Sequence, residues 1–167
     1  TDNVPSSGDD QLVGTVSDDT IAGGSGNDAI RGGAGKDMIW GNTGVDRLIG
    51  DGGNDRLYGG VGNDVLYGSA GNDRLYGDAG RDLLVGGSGK DTFFFATGDS
   101  GASAATSDVI GDFTQGLDHI DLSRIDTNAA LGGSQPFLFV GEAAFSADAS
   151  KVAGELRFGQ QNGNTYV

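Results

Sequence analysis

One nine-residue phrase recurs ten times without a break from Pro5 to Phe94. Complete copies read Gly23-Gly24-Ser25-Gly26-Asn27-Asp28-Ala29-Ile30-Arg31 and Gly59-Gly60-Val61-Gly62-Asn63-Asp64-Val65-Leu66-Tyr67. The sixth place is always aspartate: Asp10, Asp19, Asp28, Asp37, Asp46, Asp55, Asp64, Asp73, Asp82 and Asp91. The eighth is always large and apolar: Leu12, Ile21, Ile30, Ile39, Leu48, Leu57, Leu66, Leu75, Leu84 and Phe93. A strict short period specifies a coil of near-identical rungs, each burying its apolar residue against the next. Places seven to nine alternate as a strand does, which turns place eight inward. Places one to six form a turn, where glycine supplies the tight and left-handed conformations that other residues resist. Two units make one revolution, with two strands and two turns, so residues eighteen apart stack.

Stacking gathers the aspartates into two columns, Asp10-Asp28-Asp46-Asp64-Asp82 and Asp19-Asp37-Asp55-Asp73-Asp91. Neighbours in a column stand ~4.8 Å apart, the strand spacing, where bare carboxylates repel. A cation between rungs relieves that repulsion. Ca²⁺ suits the place best, because it takes six to eight hard oxygens at about 2.3–2.6 Å in tolerant geometry, while Mg²⁺ demands a tighter octahedron. The gaps admit up to about eight ions, whose charge of about +16 nearly matches the chain's −14. The bland alternative is a glycine-rich coil whose aspartates only cap turns.

Composition sets the remaining bounds. Of 33 glycines, 23 fall inside the repeat, and a glycine content this high with two prolines would suit a disordered linker were it not for the fixed period. Without calcium, disorder is the expected state. The charge of −14 argues against nucleic acid and anionic membranes as partners. Zero cysteine excludes disulfides and thiolate metal sites. No apolar run approaches membrane-spanning length, and Thr1–Asp10 has no signal-peptide pattern.

Other chemistries lack their parts. Gly26–Gly35 is glycine-rich, but no Lys-Ser/Thr phosphate-loop signature follows. EF-hand spacing is absent. His119 is the single histidine and stands among acids, where a surface role is the simplest reading. Asp118 and Asp121 could mimic a glycosidase acid pair, yet in a chain with 24 acids chance accounts for them. The expected role is therefore that of a module without catalysis.

Place nine points outward but is often aromatic. Trp40, Tyr58, Tyr76 and Phe94 recur every eighteen residues on one face, beside Arg56 and Arg74. Tyr67 lies on the opposite face, with Ile49 and Val85 in its column. Aromatic rings stack on sugars and arginine binds carboxylates in bidentate fashion, so this face could follow an acidic, alginate-like polysaccharide. It could equally pack against the C-terminal segment or a linked catalytic domain, or simply favour strands.

These repeats, G-G-x-G-x-D-x-U-x with U apolar, carry a known signature and resemble the RTX (repeats-in-toxin) family. The resemblance covers residues 5–94 and implies a right-handed parallel β-roll, all-β, over 1–94, with a β-rich cap over 95–167. It also implies calcium ions between stacked turns, held by the sixth-place aspartates and by carbonyls from places one to four. The carbonyl donors would then be Gly23, Gly24, Gly26, Gly32, Gly33, Gly35, Gly41, Gly44, Gly50, Gly53, Gly59, Gly60, Gly62, Gly68, Gly71, Gly77 and Gly80. Pro5-Ser6-Ser7-Gly8 and Gly14-Thr15-Val16-Ser17 depart from the double glycine, which weakens the sites at Asp10 and Asp19.

Ser107–Phe113 and Gly116–Ser123 resemble the C-terminal region of serralysin-type (M10) secreted proteins, which implies one further calcium at Asp99 and Asp108. Phe93–Phe95, Val109–Ile110, Ile120, Leu122, Phe137–Phe139 and Leu156–Phe158 read as strands that cover the open end of the roll. The serralysin zinc motif is absent. The family implies a bacterial protein, secreted through type I machinery and linked to a catalytic or effector domain such as a protease, lipase, epimerase or lyase. The end at Asn164–Val167 reads as a truncation.

Overall fold

The computed structural model describes residues 6–99 and 107–124, together with strand backbones at 138–139, 155–156, 159–161 and 164–166. The repeat supplies β1 (Gln11–Val13), β2 (Thr20–Ser25), β3 (Ala29–Ala34), β4 (Met38–Thr43), β5 (Arg47–Gly52), β6 (Arg56–Val61), β7 (Val65–Ala70), β8 (Arg74–Ala79), β9 (Leu83–Ser88) and β10 (Thr92–Ala96). After it come β11 (Val109–Ile110), β12 (His119–Arg124), β13 (Leu138–Phe139), β14 (Glu155–Leu156), β15 (Gly159–Gln161) and β16 (Asn164–Tyr166).

From β1 to β12, odd and even strands separate into two sheets, as a coil of two strands per revolution requires. One sheet runs β1-β3-β5-β7-β9-β11-β16-β15 and the other β12-β10-β8-β6-β4-β2. Repeat strands pair in parallel with the eighteen-residue register, so Leu48 meets Leu66 and Leu57 meets Leu75. The fold is a parallel β-roll. Its core is the eighth place, from Leu12 to Phe93, at 4% exposure or less throughout. Each such side chain contributes about 1.5–3 kcal/mol on burial. The core therefore amounts to one apolar residue per rung from each sheet.

Place five adds a second stitch. Asn27 N–H donates to Asp9 Oδ1 and Val45 N–H to Asn27 Oδ1, each at 2.8 Å. On the opposite edge Asn72 N–H donates to Asn54 Oδ1 and Lys90 N–H to Asn72 Oδ1. These side chains reach forward along the roll and satisfy amides that the turn would otherwise leave open.

The sheets do not stop at Phe94, where the boundary of the roll was expected. Val109 and Ile110 pair with Leu83 and Leu84, and His119, Ile120 and Asp121 pair with Thr92, Phe93 and Phe94. Ile110 joins the core, and Phe113, Ile120 and Leu122 pack against it. Two further rungs thus follow the repeat, reached through longer connections. Of the strands expected nearer the C-terminus, Phe137, Arg157 and Phe158 lie outside the described residues, while β13 and β14 pair with each other in a small sheet of their own.

Candidate metal centre

The sixth-place aspartates stand where each turn enters the next strand, and both carboxylate oxygens have distinct fates. Oδ1 accepts the backbone N–H of the aspartate one revolution earlier. Asp28 receives it from Asp10, Asp37 from Asp19, Asp46 from Asp28 and Asp55 from Asp37, at 2.7–2.8 Å. The same bond recurs through Asp64, Asp73, Asp82 and Asp91 at 2.7–2.9 Å. Oδ2 of Asp28, Asp37, Asp46, Asp55, Asp64, Asp73, Asp82 and Asp91 is buried and has no protein partner. These aspartates are at most 2% exposed. A buried acceptor without a donor is costly, more so when charged. Its repetition through eight successive turns, from Asp28 to Asp91, calls for a cation.

The glycines explain how a cation has room. A Cβ at Gly23 would run into Asp28 Oδ2 and lie 2.9 Å from the Gly41 carbonyl oxygen. The same holds at Gly32, Gly41, Gly50, Gly59 and Gly68, where the carbonyl oxygen of the next stacked turn lies 2.6–2.8 Å from that point. At place four, a Cβ on Gly44, Gly53, Gly62, Gly71 or Gly80 would collide with the carbonyl of Gly26, Gly35, Gly44, Gly53 or Gly62, the residue stacked before it. At place two, a Cβ on Gly33 or Gly60 would meet the carbonyl of Thr15 or Asn42. Gly24 has the same left-handed backbone, at φ 107°. Gly77 carries Asp82 Oδ2 against it in the same way as the earlier first-place glycines. The gap between two turns is therefore walled by hard oxygens. One is a charged carboxylate oxygen, and neutral carbonyls come from the turns on both sides. That donor set fits Ca²⁺.

The ends differ. Asp10 Oδ2 accepts Ser6 N–H at 2.8 Å, and Asp19 Oδ2 accepts Thr15 N–H at 2.6 Å and Thr15 Oγ1 at 2.9 Å. Asp108 extends the first column, since its Oδ1 accepts Asp82 N–H at 2.8 Å. Asp118 extends the second: Oδ1 accepts Asp91 N–H at 3.0 Å, and Oδ2 accepts Thr114 N–H at 2.8 Å. Asp118, set aside above as a chance acid, is thus a column member, and the Asp-x-apolar triplet it shares with the repeat was the available signal. Asp99 stands against the turn that leads to Asp82: its carboxylate accepts Ala96 N–H and its carbonyl accepts Gly80 N–H. Asp112 caps the turn at Gly86 and Gly87, taking their N–H groups at 2.9 and 2.7 Å.

Burial pushes the column carboxyls up, partly opposed by the backbone N–H at Oδ1. Asp55 and Asp64 are raised to about 6, Asp73 to about 7 and Asp82 to about 8. Asp28, Asp37, Asp46 and Asp91 are raised for the same first cause. Without a cation, burial favours the protonated form of these groups.

The aromatic face is turned on itself. Trp40 stacks on Tyr58, Tyr58 on Tyr76 and Tyr76 on Phe94, with centroids 5.6, 4.5 and 4.3 Å apart and planes within 14°. Arg124 from β12 covers Tyr76 at 5.1 Å and Phe94 at 5.9 Å. Ring faces that stack on one another are not offered to a sugar, and Tyr76 is buried. Of the readings open for this face, packing against the chain's own later segment is the one the geometry displays. Arg56 and Arg74 remain exposed beside it.

Comparison with known families matches residues 5–39, 40–75, 58–93 and 67–101 to the RTX calcium-binding nonapeptide repeat. The match ends at residue 101, so the serralysin-type resemblance of the later segment gains no support from it. Comparison with curated proteins finds no match. The matched residues span more than half of the chain, their period is that of the paired strands, and the chain belongs to the family of RTX calcium-binding nonapeptide repeat proteins.

Proposed function

We propose that this β-roll is a non-catalytic module that folds on extracellular calcium and supports type I secretion and stability of a larger bacterial protein. The observation that carries this reading is the run of buried, unpartnered Oδ2 atoms from Asp28 to Asp91. In the metal-free chain those oxygens repel or hold protons, and the glycine-rich turns lose much conformational entropy on folding. Calcium supplies the positive charge that offsets both costs, so its binding free energy becomes folding free energy. The oxygen set belongs with extracellular modules, whose affinities lie near 10⁻⁴–10⁻³ M. In a calcium-poor cytosol the chain stays open, the form a type I exporter threads. Outside, the roll closes rung on rung, since each rung touches only its neighbours, and holds a linked catalytic or effector domain.

Trp40, the single tryptophan, reports the event, because its stack on Tyr58 exists only when β4 and β6 pair. Its emission shifts as calcium is added, with a midpoint near the millimolar range. Emission that is the same in chelator and in calcium overturns the reading.

A further inference from the structure

Within the nonapeptide repeat, the eight open turns share a backbone feature that the closed turns lack. At place two, four steps before each aspartate, φ is positive in Gly24, Gly33, Asn42, Asp51, Gly60, Ser69, Asp78 and Gly87. These are the turns of Asp28 through Asp91, whose Oδ2 has no partner. The corresponding residue is Thr15 before Asp19 and Thr114 before Asp118, and neither has positive φ. In both, the place-two N–H donates to the turn's own Oδ2, at 2.6 and 2.8 Å. Ser6 does the same for Asp10 at 2.8 Å.

The hand of the backbone thus decides where that N–H points. An ordinary φ aims it at the carboxylate and fills the oxygen. A left-handed φ turns it away and leaves the oxygen bare. Four of the left-handed residues are not glycine: Asn42 at 76°, Asp51 at 72°, Ser69 at 83° and Asp78 at 62°. Such residues resist that region, asparagine and aspartate least. Strain kept at one place in successive turns points to use.

We infer that the hand of place two sets which turns take calcium: the left-handed turns from Gly24 to Gly87 are open to an ion, and the turns of Asp10, Asp19 and Asp118 close the roll with protein hydrogen bonds instead. This rests on the calcium reading above and narrows it. The first two sixth-place aspartates, though they keep the repeat's register, are end caps and not ligands.

Counting ions per chain by equilibrium dialysis in saturating calcium tests it. The Asp10→Asn/Asp19→Asn double variant holds as many ions as the unaltered chain, because an amide oxygen still accepts the Ser6 and Thr15 N–H groups. Asp46→Asn holds one fewer, because an amide now occupies one carboxylate position while the other keeps the Asp28 N–H bond. A loss of ions in the double variant overturns the inference and leaves the calcium reading standing. An unaltered chain that binds no calcium overturns the calcium reading itself. Should the double variant not fold, Asp10→Asn alone carries the same comparison. As an independent arm, Asn42→Gly lowers the calcium midpoint and Asn42→Val raises it; an unchanged midpoint in both contradicts a role for the hand of place two.

Discussion

Asp28 donates its backbone N–H to Asp46 Oδ1 at 2.7 Å, one revolution further along the roll. The bond anchors Asp46 and spends one of its oxygens, while Oδ2 stays buried and bare. Each aspartate is thereby aimed by the rung before it, and ion positions are built only as rungs stack.

First-place glycines should therefore be far less replaceable than third-place ones. A Cβ at Gly41 would meet Asp46 Oδ2 and the Gly59 carbonyl oxygen at 2.6 Å, whereas at Gly52 the nearest atom is 3.9 Å away. Gly41→Ala raises the calcium midpoint of folding and removes one ion. Gly52→Ala is neutral or stabilises by about 0.4–1 kcal/mol through the unfolded chain. Thermal melts in calcium check the pair; equal behaviour of the two variants contradicts the cradle.

The metal-free chain should fold in acid and open near neutrality. Carboxyls raised in the folded roll, Asp55 to about 6 and Asp82 to about 8, bind protons that the open chain, with aspartates near 3.8, has released. Their contribution to stability is present below the unfolded value and is lost as pH rises from about 4 through the folded values. In chelator the β-signal is larger at pH 5 than at pH 8, and calcium restores it at pH 8. A signal in chelator that grows with pH contradicts this.

Core truncation should weaken the roll without changing its ions. Leu57 is fully buried between Ile39 and Leu75. Leu57→Ala costs about 2–5 kcal/mol, read as a lower melting temperature in calcium, with ions per chain unchanged. Loss of an ion there would tie the core to the cradles more closely than the geometry does.

The aromatic stack should matter for stability and not for sugar. Tyr76 has rings on both sides at 4.5 and 4.3 Å and Arg124 above it. Tyr58→Ala with Tyr76→Ala lowers the melting temperature, at a cost of about 3–5 kcal/mol, and leaves retention on an alginate column as it was. Retention lost in a variant that still folds would restore the polysaccharide reading.

The repeat made much of this legible. Places six and eight announce the aspartate columns and the core, because a fixed period forces identical neighbours to stack. What the period could not announce lies where it breaks. Asp108 and Asp118 join the columns after gaps of 26 and 27 residues in place of 18, so only the Asp-Val-Ile and Asp-His-Ile triplets mark them. The two fates of each carboxylate depend on amide direction, which residue type alone does not encode. Thr15 and Ser69 are both hydroxyl residues at place two, yet one closes its turn and the other, at φ 83°, leaves it open. The aromatic column was visible, but whether rings face solvent or each other follows from packing.

The far-UV circular dichroism of the chain at pH 8, in chelator and in about 10 mM calcium, some tenfold above the affinity class expected, tests the central claim most directly. An open chain in chelator and a strong β-signal in calcium are the expected result. The same β-signal in both would show that the buried oxygens from Asp28 to Asp91 need no cation, and would contradict that claim.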